Sequence, residues 1–554
     1  MGPHPVAVAR SLSHAATRRG RQRILKRTYA SRVARPPLAA TLTVPALDLP
    51  PAHELPPHLA DPAELIRTEA EEILAHRVDL LGSGLVSLGE EIDWHRDFKS
   101  GHRWPVAFYQ DVAVTRLDDE SDAKVPWELS RGHQLLTLAR AARLFEDERF
   151  SLELERQLGS WIEANPPGFG INWTNAMEVG LRGVNWIWVL ATLGGRRPLD
   201  PETRRSVTRS LQCHGRHIAA NLEASPWLRS NHYLGDLLGL LALGASLEGD
   251  PAAGRWLRFA HRELEHEIQG QVHPDGLGFE ASLPYHGLAL EIFLLAKHVA
   301  ERARVPFSPA YHARLRRMLE ASRAVRHPDG RLPNFGDNDS GRVLPAGFAR
   351  PLTHDHLLWL GSALLASDRP LPGEPHEEVA WTLGVDRWRA CRERDAAAPP
   401  TSSAFPDGGV YVLRGERAHA VVRCGDVGQR GNGGHAHNDA LAFELSAPGP
   451  LVLDSGTYAY TSDPAARNAF RATAAHSTVA VAGAEINPID ETALFELEGA
   501  ARPVVELWEE GGERVRLVAS HDGFCRVTPP VVHRRTFVLE RAGGGLEVVD
   551  ELLG

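Results

Sequence analysis

The hydrophobic pattern of this 554-residue chain changes period once, near residue 400, and that change limits the folds open to it. From about 60 to 385, apolar residues recur three or four apart, as in 133–145, 178–193, 207–222, 231–245, 288–300 and 309–325, so each stretch is expected to form an amphipathic helix. Turn formers such as Asn165-Pro166-Pro167-Gly168 and His273-Pro274-Asp275-Gly276 separate them. Helix hairpins repeated in this way wind into an α/α solenoid or toroid. After Pro399-Pro400-Thr401-Ser402-Ser403 the pattern becomes short β-rich runs, at 409–413, 418–422, 441–445, 451–453, 477–481, 504–507, 515–518 and 535–539. These predict a sandwich of antiparallel strands. The expected organisation is a disordered Arg/Pro/Ala-rich tail over 1–55, an α/α toroid (an incomplete barrel of helix hairpins) over 56–395, and an antiparallel β-sandwich over 396–554. The last run, 546–550, is followed by almost nothing, so the sandwich is expected to stop short of its full set of strands.

Charge and cysteine usage narrow the function classes. Sixty-one basic against 71 acidic residues, a formal charge of −10, give no global field for DNA, RNA or anionic lipid, so nucleic acid is not an expected partner. No run of about 18 apolar residues marks a membrane span. The first fifty residues hold no apolar stretch long enough for a signal-peptide core, so a cytoplasmic location is expected, with a periplasmic or secreted one as the alternative. Cys213, Cys391, Cys424 and Cys525 form no CxxC pair, so neither a thiolate zinc site nor a disulfide framework is indicated. The 27 histidines are the better place to look for chemistry.

The sharpest cluster is Gly433-Gly434-His435-Ala436-His437-Asn438-Asp439. Two histidines at i and i+2 of an extended segment point the same way, and glycines let the backbone approach a ligand. The pair reads as a metal site, a catalytic base, or one of each. Asp454 at a strand end and His476 ahead of a later run complete an oxygen-and-nitrogen set that suits zinc, given water or another group in a fourth position. The bland reading is a set of polar loop residues. His-x-His-x-Asp also opens the dinuclear zinc motif of metallo-β-lactamase-like hydrolases, but there a second His follows the Asp, whereas Ala440 follows Asp439, and the αββα surroundings are missing. In the helical half, Asn231 opens an apolar helix and by itself reads as an N-cap. Tyr285, at the start of the next helix, by itself reads as core.

Taken together, these segments resemble one family. Asn231-His232, Glu280-x-Ser282-x-x-Tyr285-His286, Asn334-x-Gly336-Asp337-x-Asp339, Gly434-His435-x-His437-x-Asp439-Ala440, Asp454-x-Gly456-Thr457-Tyr458 and Phe470-Arg471-x-Thr473-x-Ala475-His476 are similar in order and spacing to the heparinase II/III-like polysaccharide lyases, which include related alginate lyases. Lys124-x-x-Trp127-Glu128-x-Ser130-Arg131 and Trp173-x-x-x-Met177-Glu178-x-x-x-Arg182 extend the resemblance over about residues 90 to 554. It implies β-elimination of a uronic-acid-containing polysaccharide or oligosaccharide, leaving an unsaturated uronate end. It implies that Asn231 and His232 neutralise the substrate carboxylate and that Tyr285 and His435 serve as acid and base, the stereochemistry of the substrate choosing which is the base. His437, Asp454 and His476 carry over as ligands of one structural zinc ion that holds the His435 loop. Arg182 is expected to clamp the uronate, and Glu280, Tyr458 and Tyr460 to contact the sugar. No organic cofactor is implied, the expected partner is an anionic polysaccharide or oligosaccharide, and a homodimer is compatible with the sequence.

Trp94, Trp104, Trp127, Trp173 and Trp186 suit stacking on sugar faces, yet the favoured reading of each is a core tryptophan that locks helix hairpins together. One rival function is a glycoside hydrolase on the same toroid, drawing its acid pair from Glu128, Glu178, Glu280, Asp337 and Asp339. The paired-histidine loop and the Asn-His pair have no purpose in that scheme. The other rival is a non-catalytic polysaccharide-binding or assembly protein, against which stands the presence of every matched catalytic position.

Overall fold

The computed structural model describes residues 24, 26–36, 40–47, 49, 57–194 and 199–554; much of the expected tail, residues 1–23, lies outside the described residues. The helices are α1 (Pro57–Leu74), α2 (Lys124–Arg131), α3 (His133–Phe145), α4 (Glu148–Ala164), α5 (Ala176–Leu193), α6 (Pro201–Ala220), α7 (Asn231–Ser246), α8 (Ala253–Gly270), α9 (Leu283–Arg302), α10 (Pro309–Val325), α11 (Asp355–Leu365), α12 (Glu377–Leu383) and α13 (Val385–Arg392). Side-chain caps set several starts: Asn175 accepts from Glu178 N, Asp200 from Glu202 N and Thr203 N, Ser282 from Tyr285 N and Ser308 from Tyr311 N. Successive helices pack as hairpins around one apolar core, and α5 is buried along its whole length. The expected toroid of helix hairpins is what the helical half forms.

Glycines bring α5 and α7 together, and these two helices carry much of the site. A Cβ at Gly239 would lie 2.5 Å from Gly180 Cα, and one at Gly180 would lie 2.7 Å from the Gly235 carbonyl oxygen. Only hydrogen fits between the two backbones.

Short ladders join Thr41–Leu42 (β1) to Leu247–Glu248 (β4), and Arg77–Asp79 (β2) to Leu85–Ser87 (β3). The C-terminal half holds two antiparallel meanders. The first runs β5 (Ser403–Phe405), β6 (Val410–Arg414), β7 (His419–Arg423), β8 (Phe443–Ser446) and β9 (Pro450–Val452); the second runs β10 (Pro503–Gly511), β11 (Arg514–His521), β12 (Val532–Glu540) and β13 (Leu546–Leu553). Strand alternation gives the first sheet two buried faces. Tyr411, Leu413, Ala420 and Val422 meet Val515, Leu517, Phe537 and Leu539 of the second sheet, which makes the sandwich. Val410, Val412 and Val421 point the other way, onto Leu283, Ala321, Val325 and Phe335 of the helical half. The same strands therefore close the sandwich and dock it on the toroid.

Two local expectations fail. Part of the supposed tail is ordered: residues 26–32 are helical, Tyr29 and Val33 are buried, and the Tyr29 hydroxyl lies 2.7 Å from His217 Nδ1 while its ring packs edge-on against Phe108. An arginine-rich composition hid two apolar anchors one turn apart. The run at 477–481 is not a strand, because the Ser477 hydroxyl donates to Phe443 O at 2.6 Å and accepts from Phe443 N at 2.9 Å, in place of a backbone ladder.

The close approach of α5 and α7 sets up a pair of opposite expectations. Gly239→Ala is expected to lower the unfolding free energy by about 1–3 kcal/mol. Gly159→Ala, inside α4 with nothing within 4 Å of the new methyl, is expected to raise it by about 0.5–1 kcal/mol. Urea unfolding followed by circular dichroism checks both signs.

Candidate active site and metal centre

The helical wall of the site begins at α7. Ser230 precedes the helix and Asn231 is its first residue, so the asparagine does not act as the cap. The Glu280 carboxylate accepts from the Asn231 backbone N at 2.9 Å and from one hydrogen of its Nδ2 at 2.8 Å. Because a carboxylate only accepts, this fixes which end of the amide is nitrogen. Nδ2 also lies 3.3 Å from His435 Nε2, and the buried Oδ1 has no partner among the described residues. Glu280 thus orients Asn231, and its own oxygens are occupied. His232 is bonded through Nδ1 to Glu223, whose other oxygen accepts from Ala176 N at 2.7 Å. Burial works against its charge, but the Glu223 carboxylate outweighs it and raises the His232 pKa. The pairing favours the protonated ring, and the side chain is 41% exposed.

Tyr285, in the first turn of α9, stacks on His435 with ring centroids 3.6 Å apart and planes 17° from parallel. Its hydroxyl donates to Asp339 Oδ2 at 3.2 Å and lies 3.2 Å from the Tyr460 hydroxyl. Lys124 is paired with Asp339 and lies 4.7 Å from the centre of the Tyr460 ring. Burial, followed by the carboxylates of Asp339 and Asp337, pushes the Tyr285 phenol well above 10, so it keeps its proton at neutral pH. Asp339 stays ionised: burial raises its pKa, and Lys124 and Arg131 more than reverse that.

The loop of the sandwich closes the site through Asp337. His435 Nδ1 donates to Asp337 Oδ2 at 3.1 Å and His437 Nε2 to Oδ1 at 2.9 Å. Arg467, on a short helix α14 (Pro464–Phe470), grips both oxygens of the same carboxylate. Gly336, with φ of +73°, lets the backbone pass under the loop: a Cβ there would lie 2.7 Å from His435 O, and Asp337 N bonds that same oxygen at 2.9 Å. Burial raises the Asp337 pKa, but Arg467 and the two histidine bonds hold it well below the usual carboxylate range.

His437, Asp454 and His476 converge behind this loop. One ligand atom from each lies within 4.8 Å of the others. His437 Nδ1 and His476 Nε2 are buried without a partner among the described residues, and the second nitrogens are committed, to Asp337 and, at 2.7 Å, to Asp454. Two unsatisfied imidazole nitrogens beside a carboxylate fit a divalent cation, with Asp337 orienting one ligand from behind. Asp439 is buried close by, one carboxylate oxygen unpartnered among the described residues and the other 3.9 Å from Arg423.

Other expected residues lie elsewhere. Arg182 is fully buried, bonded to His214 Nε2 at 2.8 Å and to Asn172 O at 3.1 Å, with its guanidinium 4.2 Å from the Trp161 ring. Burial lowers its pKa to about 9. It is a core arginine, fully buried among Trp161, Trp173 and His214, and so is not placed to clamp a substrate. Tyr460 belongs to the site, whereas Tyr458 is 76% exposed and stacked on Phe470. Trp94, Trp104, Trp173 and Trp186 are core residues, and Trp127 is half-buried. An organising role for Asp337 is not among the expectations from sequence. Its three partners are 98, 100 and 130 residues away, and no local spacing marks such a residue.

Residues 66–348 match the family model described as heparinase II/III N-terminus, and residues 397–554 the one described as heparinase II/III-like, C-terminal. The chain belongs to the heparinase II/III-like family. It is similar to the heparin-sulfate lyase of Pedobacter heparinus, at 25% identity over 443 residues (77% of this chain, 59% of that protein), and to that of Bacteroides stercoris, at 22% over 498 residues (84% and 64%). The chain thus spans about three fifths of the length of these relatives. Among solved structures, a heparinase III has a TM-score of 0.62 at 18% identity (89% of this chain, 71% of that one), and a heparan sulfate lyase from Pedobacter heparinus 0.53 at 21% (89% and 69%). These likenesses establish the shared fold of this heparinase II/III-like chain.

The triad's geometry has a direct test. Titrating metal-free protein with a divalent cation is expected to saturate at one ion per chain, with affinity reduced about 100-fold or more in His437→Ala and His476→Ala and about 10- to 100-fold when the orienting bond from Asp337 is lost. Calorimetry on folded variants reads this out.

Proposed function

We propose that the protein is a polysaccharide lyase that cleaves a uronic-acid-containing chain by β-elimination. One observation carries the reading: Asn231, Tyr285 and His435, drawn from both domains, meet in one cluster, with Nδ2 of the amide 3.3 Å from the imidazole and the phenol stacked on it. The heparin-sulfate lyases it resembles support a uronate substrate.

The chemistry follows from what each group holds. The C5 proton of a uronate is α to a carboxylate, and a charged carboxylate resists becoming an enolate dianion. Hydrogen-bond donors aimed at that carboxylate lower the barrier. The second Nδ2 hydrogen of Asn231, which Glu280 leaves free and which lies toward His435, and a protonated His232 supply them. His435 donates through Nδ1 to Asp337, so Nε2 carries the lone pair and is suited to take the C5 proton. Tyr285 holds its proton and is suited to deliver it to the leaving glycosidic oxygen as the C4–O bond breaks. The proton on His435 then returns to Tyr285 through solvent. Zinc held by His437, Asp454 and His476 would steady the loop that carries His435, because elimination consumes no water nucleophile.

A hydrolase would need one acid and one free carboxylate flanking the bond. Here Glu178 is clamped by Arg131 at 2.7 and 2.8 Å, Glu280 by Asn231, Asp337 by Arg467 and Asp339 by Lys124. Each of these carboxylates already accepts hydrogen bonds from groups of the protein.

Incubation with a panel of uronans, including alginate, heparan sulfate and hyaluronate, is expected to give a near-ultraviolet absorbance rise from the conjugated uronate with one of them. Tyr285→Phe and Asn231→Ala are expected to cut kcat by about 10²- to 10⁴-fold. New reducing ends without absorbance would mean hydrolysis, and binding without either would mean a non-catalytic module.

A further inference from the structure

Of thirteen tryptophans, Trp227 alone is exposed, at 51%. An isolated apolar residue on a surface needs no explanation in itself, but this one is held in place. The Ser225 hydroxyl accepts from Trp227 N at 3.2 Å and from Leu228 N at 2.9 Å, Ser225 N bonds Leu228 O at 3.0 Å, and an antiparallel bridge joins Ala224 to Arg229. Arg229 then fastens the loop to α8 by an ion pair with Glu267 at 2.7 Å. Trp227 precedes Asn231 by four residues, which limits their Cα separation to about 14 Å.

A cation faces the same turn of α8 from the sandwich. Arg430 is exposed and makes no hydrogen bond or ion pair among the described residues. It and Gln429 take φ values of +56° and +49°, uncommon for residues with a Cβ. The conformation is imposed by neighbours: Gln429 N bonds Phe279 O at 2.7 Å, and its Oε1 accepts from Gly434 N at 2.9 Å and Asn432 Nδ2 at 3.0 Å. Arg430 Nη2 lies 3.7 Å from where a Cβ on Gly270 would be. Gly270 ends α8, one turn beyond Glu267, and Arg430 precedes His435 by five residues. The tryptophan loop, through Arg229, and the unpaired guanidinium of Arg430 therefore both reach the last turn of α8, from segments four residues before Asn231 and five before His435.

We infer that Trp227 and Arg430 form a binding subsite for a second uronic-acid residue of the substrate chain, away from the bond that is cut. The indole face covers the apolar C–H face of the pyranose ring, and the guanidinium pairs with the carboxylate through its two-pronged donor edge. The site's other cations, Lys124, Arg131, Arg467 and His232, already face carboxylates of the protein, which leaves Arg430 available to an outside anion. This subsite rests on the lyase reading for the identity of its occupant.

The test compares Trp227→Ala and Arg430→Asn with the wild type in the full chain; asparagine is chosen because it tolerates the left-handed backbone. On a polymeric uronan each variant is expected to raise KM about five- to tenfold with kcat within about twofold, the pattern of lost uniform binding. On the shortest uronate oligosaccharide that is cut, KM is expected to stay at the wild-type value. An unchanged KM for the polymer would overturn the subsite. If no uronan is cleaved by the wild type, the lyase reading fails separately. Calorimetry with a uronate hexasaccharide then decides the subsite: a five- to tenfold weaker Kd in both variants supports it, and an unchanged Kd overturns it.

Discussion

Asp337 is the residue on which the geometry of both halves depends. Its carboxylate is fully buried between the toroid and the sandwich, and it takes donors from Arg467, His435 and His437 at once. Its main chain is held as well, Asp337 N by His435 O at 2.9 Å and Asp337 O by the Ser282 hydroxyl at 2.7 Å. A buried carboxylate with one counter-charge and two imidazole donors stays ionised, and an ionised carboxylate forces each ring to donate through the nitrogen facing it. The lone pairs of His435 Nε2 and His437 Nδ1 are therefore aimed by one charge, the first toward Asn231 and the second toward Asp454 and His476. The acid-base loop and the candidate metal centre are two outputs of the same anchor.

Three further cations around the catalytic cluster are neutralised in the same manner. Lys124 faces Asp339, Arg131 faces Glu178 and Glu128, and His232 faces Glu223. A chain with net charge −10 has no global attraction for a polyanion, so recognition has to come from a few aimed donors in a preorganised polar network. Tyr285 fits that design. Its hydroxyl is flanked by an ionised carboxylate and a second phenol, which keeps the proton on the oxygen that would donate it.

The change of period near residue 400 announced the two halves, because helical and strand periodicity report on local burial, and local burial is written in neighbouring residues. The His435 to Asp439 loop, Asp454 and His476 were legible by residue type, and their convergence is now explicit within 4.8 Å. Arg182 was misread because a guanidinium looks surface-bound in sequence, and nothing local shows Trp161, Trp173 and His214 closing around it. Asp337 and Asp339 appeared only as motif letters and as acids for a hydrolase; their side-chain partners lie 54 to 215 residues away, beyond any spacing rule. The 26–32 helix and its Tyr29 anchor were lost under an arginine-rich average.

The most direct measurement is turnover of Asp337→Asn, a change that keeps the shape of the side chain and removes its charge, on protein shown by circular dichroism to be folded. If Asp337 aims His435, kcat on the uronan cleaved by the wild type falls by about 10²-fold or more while KM stays close to the wild-type value. A folded Asp337→Asn protein with wild-type kcat would contradict the central place given to this carboxylate.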